Sequence, residues 1–321
     1  MLDTALGQVA TVLLTVVGLW IGARLLVDAV IRLAKRFGLS DLTIGLTVVA
    51  VGTSTPELAV SIDAALKGFG DIAVANVLGS NIYNLAFVLG VVALIRVIPI
   101  AKSLVHRDGI ALLASTALGA VVLFDLGVSR LEGGALVTIF VLYTAYLLRA
   151  GEREPAAPTT SATAATRDLP TQLSFRGRDA VYLVVGLALV LGSGDLLVRA
   201  ASGLARGAGV SEWVVGGTIV AAGTSTPEFA VSLVALRRGS LGVSVGNVVG
   251  SNVFNLLAVV GVASLVQPLS VSASALSTLA WLIAVSVVMV AALWTGRELS
   301  RLEGGLFAGS EVVRWVLGLL G

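Results

Sequence analysis

Gly52-Thr53-Ser54-Thr55-Pro56-Glu57 sits inside an apolar stretch, and 171 positions later it returns as Gly223-Thr224-Ser225-Thr226-Pro227-Glu228. Downstream of each copy, Gly79-Ser80-Asn81 with Asn84 returns as Gly250-Ser251-Asn252 with Asn255. Pro56 has no N–H to donate and disfavours helical geometry at Thr55, so a helix arriving through Val51 breaks across Gly52–Thr55. Proline is well tolerated in the first turn of a new helix, so Pro56 marks a restart with Glu57 in that turn. A broken helix carrying an acid is expensive in a membrane. Two of them, related by an internal repeat, point to one central ion site built from both copies.

The surrounding composition supports a membrane setting. Of 321 residues, 57% are hydrophobic and only 12% charged, against about 25% charged in soluble chains. Apolar runs near the ~20 residues that span hydrocarbon recur along the whole length. Net charge is +2, which favours no nucleic-acid partner, and with no cysteine the chain has no disulfide framework and no thiolate metal site. The stretch from Leu6 to Val30 is too long for a signal-peptide core and lacks a preceding basic region, so it is expected to be a retained first span.

Ten apolar segments lie near 6–32, 42–66, 71–95, 104–124, 130–149, 177–203, 212–236, 242–266, 275–295 and 302–320. The fold class is therefore an all-α membrane protein of ten transmembrane helices, with helices broken at the ion site. A stretch rich in Ala, Thr and Pro separates the fifth segment from the sixth and reads as a flexible linker. The expected divisions are a first half at 1–149, a cytoplasmic linker at 150–175 and a second half at 176–321. The 171-residue offset runs without a gap: Gly38-Leu39-Ser40 aligns with Gly209-Val210-Ser211, and Ser129-Arg130-Leu131-Glu132-Gly133-Gly134 with Ser300-Arg301-Leu302-Glu303-Gly304-Gly305. Each half holds five segments. Five is odd, so the second half enters the membrane from the opposite side and the repeats are inverted.

Loop charge agrees with this arrangement. With both termini outside, fifteen Lys and Arg residues fall in inside loops, and only Lys67, Arg130 and Arg206 fall outside. Arg24 and Asp28 in the first segment recur with exchanged signs as Asp195 and Arg199. At a spacing of four, each pair is expected to bond within its own helix.

The motifs assemble an all-oxygen donor set. Carbonyls near Ala50 and Val51 are expected to be freed by the break and to point at a cation. Thr53 and Glu57 converge if the break is tight, and Ala221, Thr224, Ser225 and Glu228 follow by the same logic. Ser80 and Asn84 share one helical face with Asn76 two turns before Asn84; Ser251, Asn255 and Asn247 repeat the pattern. Gly79 and Gly250 permit close helix approach. Carboxylate, hydroxyl, amide and carbonyl oxygens suit hard cations such as Na⁺ and Ca²⁺, not zinc or copper. Either glutamate alone is as well explained as a structural hydrogen-bonding residue, but the matched recurrence of Glu, Pro, Thr and Asn favours a site. Hydrolytic chemistry has no support: the only histidine, His106, is expected to be a solvated loop residue with no partnered serine.

In these paired motifs the chain resembles the two alpha-repeats of the sodium/calcium exchanger family of the cation/Ca²⁺ exchanger superfamily, as a prokaryotic member. The resemblance implies that Glu57 and Glu228 are acidic ligands shared by Ca²⁺ and Na⁺, with hydroxyls from Thr53 and Thr224. It further implies backbone carbonyls from Ala50 and Ala221, flanking Ser54 and Ser225, Na⁺ sites at Ser80 and Ser251, and Asn84 at the centre. Asn255 departs from relatives that carry aspartate there, leaving two acids rather than three. The Gly-Asn-x-x-Glu pattern of proton/calcium exchangers is absent. By the same analogy the first and sixth segments are sliding gates.

The expected function is Na⁺-driven Ca²⁺ antiport by alternating access in the cytoplasmic membrane. Ca²⁺ and Na⁺ are transported substrates; no cofactor, enzymatic activity or obligatory protein partner is expected, and the lipid bilayer is the surroundings. The alternatives are Ca²⁺/H⁺ antiport, K⁺-dependent Na⁺/Ca²⁺ exchange and, from another class, a cation channel. Deep binding slows conduction, which counts against the channel.

Overall fold

The computed structural model of the chain describes residues 4–99, 104–151, 177–207, 221–296 and 298–320. The linker expected at 150–175 lies outside these residues except for 150 and 151, as do Gly209-Val210-Ser211 and the start of the seventh apolar segment at 212–220.

The fold is a bundle of helices. Helix α1 (Ala5–Phe37) opens at Thr4, whose hydroxyl accepts the Gly7 N–H at 3.2 Å. Helix α2 (Asp41–Thr53) is capped by Ser40 and meets α3 (Thr55–Leu66) at a bend of 45°. Helix α4 (Gly70–Ile95) follows, and then α5 (Ile110–Val122), which is entered through a π-helical turn at Leu104–Gly109. The first half closes with α6 (Arg130–Gly151). The second half contains α7 (Gly177–Gly207), α8 (Ala221–Thr224), α9 (Thr226–Arg237), α10 (Leu241–Val266), α11 (Ser274–Gly296) and α12 (Arg301–Leu320).

Six of the described helices are long and apolar enough to cross a membrane: α1, α4, α6, α7, α10 and α11; the bent pair α2–α3 is a seventh candidate. The outer helices carry large exposed apolar side chains such as Leu13, Val141 and Val184, as expected of a surface that faces lipid rather than water. The chain is a multi-pass membrane protein. Its core lies around α4 and α10, the most deeply buried of these six helices.

The recurring Ser-Arg-Leu-Glu-Gly-Gly motif resolves into helix caps. Ser129 Oγ accepts the Glu132 N–H at 3.3 Å while the Glu132 carboxylate accepts the Ser129 N–H at 2.8 Å, which is a capping box opening α6. Ser300 and Glu303 repeat it at 2.8 and 3.3 Å to open α12. Just before each box, a two-residue strand ties the halves together. Strand β1 (Ile98–Pro99) pairs antiparallel with β4 (Glu298–Leu299), and β2 (Gly127–Val128) with β3 (Leu269–Ser270).

Backbone-to-backbone crossings hold the helices together. At Gly22 of α1 an added Cβ would lie 2.9 Å from the Gly186 carbonyl, and one at Gly186 of α7 would lie 2.7 Å from the Leu26 nitrogen. A Cβ at Gly246 of α10 would stand 2.6 Å from the Leu42 carbonyl and 3.0 Å from the Leu46 nitrogen of α2. Gly250 continues that seam, where an added Cβ would stand 2.5 Å from the Leu46 carbonyl, as its close-approach role requires. For Gly79 no such neighbour occurs among the described residues.

Two local expectations are corrected. Asp195 and Arg199 pair at 2.9 Å within α7, but Asp28 bonds Arg238 at 2.7 Å, so its ion pair joins α1 to the end of α9 instead of staying within α1. His106 is exposed, as expected, yet it belongs to the π-helical turn leading into α5 rather than to a loop, with its ring 5.1 Å from that of Trp294.

The α2–α10 seam yields a test. Gly246→Val forces a side chain against main-chain atoms that cannot rotate away, and overpacking of this kind costs about 1–3 kcal/mol. The thermal unfolding midpoint of the detergent-solubilised protein is expected to fall by several degrees. Gly309→Ala, where a Cβ meets no described atom within 4 Å, is expected to leave the midpoint unchanged or raise it.

Candidate ion-binding site

The break in the first copy falls on one residue. Ser54 leaves helical geometry at φ −85°, ψ 14° between α2 and α3, and Ser225 does the same at φ −90°, ψ 8° between α8 and α9. Pro56 cannot supply the N–H that the Gly52 carbonyl expects four residues earlier. The Thr55 hydroxyl substitutes, donating to the Gly52 carbonyl at 2.8 Å and to that of Val51 at 3.2 Å. The Ala50 carbonyl accepts the Ser54 N–H at 3.0 Å and lies 3.4 Å from the Thr53 hydroxyl. The expectation that the break frees the Ala50 and Val51 carbonyls is therefore corrected: both are engaged, each keeping one lone pair. In the second copy the Thr226 hydroxyl donates to the Ala222 carbonyl at 3.2 Å, and Ala221 begins α8.

The restart places Glu57 and Glu228 in first turns, and both are wholly buried. Their bonds are crossed between the halves. Ser54 Oγ donates to Glu228 Oε1 at 2.8 Å, and Ser225 Oγ donates to Glu57 Oε1 at 2.9 Å. Each acid also receives a serine of its own half, Ser80 on Glu57 at 3.3 Å and Ser251 on Glu228 at 3.5 Å. Thr53 donates to Asn247 Oδ1 at 3.0 Å and Thr224 to Asn76 Oδ1 at 3.5 Å; Thr224 also lies 3.4 Å from the Ser80 hydroxyl.

Asn76 and Asn247 brace the restarts and do not present their oxygens to the centre. Asn76 Nδ2 donates to the Glu57 main-chain carbonyl at 3.2 Å and to Ser61 at 3.0 Å. Asn247 Nδ2 donates to the Glu228 carbonyl at 3.2 Å and to Ser232 at 3.1 Å. Ser61 and Ser232 are not among the residues expected from the sequence, although the repeat offset makes each the mate of the other, four residues after its glutamate.

Asn84 and Asn255 arrive by a different device. A π-helical turn at Tyr83–Val88 interrupts α4, and another at Asn255–Val259 interrupts α10. Such single wide turns recur at functional sites. Both asparagines are fully buried.

Several oxygens around this centre have no hydrogen-bond partner: Glu57 Oε2, Glu228 Oε2, Asn84 Oδ1 and Asn255 Oδ1. Buried acceptors of this kind are costly unless a positive group meets them. Among the described residues no Lys or Arg bonds either carboxylate. An acceptor set made only of carboxylate, amide and hydroxyl oxygen suits a hard cation. Of the expected residues, Glu57, Ser225, Ser80 and Thr224 are joined in one bonded cluster and Glu228, Ser54, Ser251 and Thr53, the last through Asn247, in a second, each cluster drawing side chains from both halves, with Asn84 and Asn255 on the π-turns beside them.

A multi-pass bundle with two carboxylates buried among oxygens at the meeting of its halves is built as a membrane cation transporter. A profile of the family described as sodium/calcium exchanger protein matches residues 7–149 and 179–310, and the chain belongs to that family. It is 37% identical over 277 residues to the putative antiporter CaxA of Alkalimonas amylolytica, covering 85% of this chain and 86% of that protein. With the sodium/calcium exchanger MaX1 of Methanosarcina acetivorans it shares 31% identity over 315 residues, covering 88% and 90%. The solved structure of the sodium-calcium exchanger NCX_Mj, soaked with 10 mM Na⁺ and no Ca²⁺, superposes with a TM-score of 0.82 at 30% identity over 97% of this chain and 98% of that one. The activity class is cation/Ca²⁺ antiport, which is transport and not enzymatic catalysis.

The crossed serines make a quantitative test. Ser54→Ala leaves Glu228 Oε1 with only the longer Ser251 contact, and a hydrogen bond to a charged group is worth about 1.5–3 kcal/mol. Apparent Ca²⁺ affinity, read by equilibrium ⁴⁵Ca²⁺ binding, is expected to fall roughly tenfold or more. Ser225→Ala is expected to give a loss of similar size; no loss in either variant would show that the crossed bonds do not support the acids.

Proposed function

We propose that the chain is a Na⁺-driven Ca²⁺ antiporter of the cytoplasmic membrane, with ten transmembrane helices arranged as two inverted halves and both termini outside. The observation that carries this reading is the pair of fully buried glutamates, each bonded by the serine of the opposite break and each keeping one oxygen without a partner. Glu57 and Glu228 serve as the shared ligands of Ca²⁺ and Na⁺. Thr53, Thr224, Ser80, Ser251, Asn84 and Asn255 complete the oxygen set with the second lone pairs of the Ala50 and Ala221 carbonyls, while Ser54 and Ser225 orient the acids.

Exchange follows from electrostatics. Two ionised carboxylates near the centre of the bilayer resist reorientation while bare, because each unpaired buried charge costs at least several kcal/mol. One Ca²⁺, or several Na⁺, neutralises them, so loaded states cross between faces and bare ones do not. Inverted halves supply two near-equivalent conformations, one open to each side. The fifteen-to-three bias of basic loop residues supports placing the linker in the cytoplasm. The sodium/calcium exchanger names carried by relatives support Na⁺ as the counter-ion.

The test is ⁴⁵Ca²⁺ uptake into proteoliposomes driven separately by Na⁺, K⁺ and H⁺ gradients. The expected result is uptake with the Na⁺ gradient alone, abolished in Glu57→Gln and in Glu228→Gln. Uptake driven by a pH gradient without Na⁺ would identify proton exchange, and full activity in both variants would remove the assigned site.

A further inference from the structure

Asparagine poses a problem as a cation ligand that aspartate does not. Its amide has an acceptor and a donor of nearly equal size, and a half-turn of the group replaces an attractive oxygen with a repulsive NH₂. Something must hold the NH₂ away from the ion. At Asn255 that holder is visible. Asn255 Nδ2 donates to Asn81 Oδ1 at 3.0 Å, which leaves Asn255 Oδ1 without any other partner. The Asn81 amide is fixed in its turn, because its Nδ2 donates to the main-chain carbonyl of Asn252 at 3.1 Å. A main-chain carbonyl can only accept. The direction of the whole chain is thereby determined from its far end: Asn252 carbonyl, Asn81 amide, Asn255 amide, free oxygen. All three side chains are completely buried.

The other copy supplies an internal comparison. The residues matching Asn81 and Asn255 at the repeat offset are Asn252 and Asn84. Here Asn252 Nδ2 turns onto the Val248 carbonyl of its own helix at 2.8 Å, and Asn252 Oδ1 is left without a partner. Asn84 correspondingly has no partner for either amide atom. One central amide is oriented and the other is not: Asn81 reaches across to Asn255, whereas its mate Asn252 turns back onto its own helix and leaves Asn84 unheld.

We propose that Asn81 is a positioning residue for ion binding, orienting the Asn255 amide so that its oxygen faces the cation. The inference rests on the antiport reading for the identity of the ion and assigns no ligand role to Asn81 itself. It makes position 255 the reason for position 81. A carboxylate at 255 has two equivalent oxygens and needs no orienting acceptor. It would even meet the Asn81 oxygen unfavourably unless that amide turned and released the Asn252 carbonyl.

The test is equilibrium ⁴⁵Ca²⁺ binding to the full chain purified in detergent, with Asn81→Leu introduced into the parent and into Asn255→Asp. Removing a group that orients a metal ligand costs about 10- to 100-fold in affinity. A loss of that size is expected in the parent background, and little or no loss in Asn255→Asp. Asn81→Asp, whose carboxyl still accepts from the Asn255 amide, is expected to bind closer to the parent than to Asn81→Leu. Where leucine disrupts packing, Asn81→Ser removes the same acceptor at smaller volume. Equal losses in the two backgrounds, no loss in the parent, or a loss in Asn81→Asp as large as that in Asn81→Leu overturns the proposal. Na⁺-driven uptake by the parent, measured separately in proteoliposomes, reports on the antiport reading. A parent that binds Ca²⁺ but fails to exchange it would refute that reading without touching this one.

Discussion

Two carboxylates buried in one place, with no cationic side chain among the described residues bonded to either, are the constraint from which the centre of this protein follows. Unpaired, such groups would be among the most destabilising features a bilayer protein can carry. The surrounding chain limits that cost in layers. Each acid stands in the first turn of a restarted helix. It is bonded by the serine at the opposite break and by a serine from the adjoining long helix, and the carbonyl behind it is braced by an asparagine. Even the break is nearly complete in its hydrogen bonding, since the Thr55 hydroxyl takes the place of the N–H that proline lacks. What is left over on the acids is one oxygen each, Glu57 Oε2 and Glu228 Oε2.

Much of this was legible in the sequence because it is local and occurs twice. Proline four residues after Gly52 locates the break and the restart, and a gapless offset tells which residues are mates. Long-range choices were not legible. Asp28 has a basic residue four positions before it, yet it bonds Arg238, because packing brings the end of α9 against α1. The roles of Ser61 and Ser232 depend on which asparagine faces them across two helices, a relation that no spacing within one segment specifies. The π-helical turns were hidden for a similar reason: their residues read as ordinary apolar helix, and only packing decides that one turn widens. The engagement of the Ala50 and Val51 carbonyls was hidden because their partners, the Ser54 N–H and the Thr55 hydroxyl, are supplied by the break itself.

The repeats are close copies but not identical ones. Tyr83 stacks on Phe87 and Trp315, with ring centroids 5.0 and 6.0 Å away, and the Trp315 indole N–H donates to buried Glu311 at 2.7 Å. The mate of Tyr83 is Phe254, which meets Phe140 edge-on at 5.3 Å with no polar group involved. Beside one π-turn the packing is therefore amphipathic and charged further out, while beside the other it is wholly apolar. Only the first flank carries an ion pair, between Glu311 and Arg314 at 2.5 Å, so the two copies differ in the polarity of what surrounds their π-turns.

If the cargo binds the unpartnered oxygens at the centre as proposed, it is also part of the fold. A ligand that binds only the folded state stabilises it by mass action, by about 2.7 kcal/mol at a hundredfold excess over its dissociation constant. For a chain whose inward-facing acceptors are otherwise unanswered, the ionic composition of its surroundings is then a determinant of its lifetime as well as of its turnover. Chelation starves it of substrate and of a structural member in the same act.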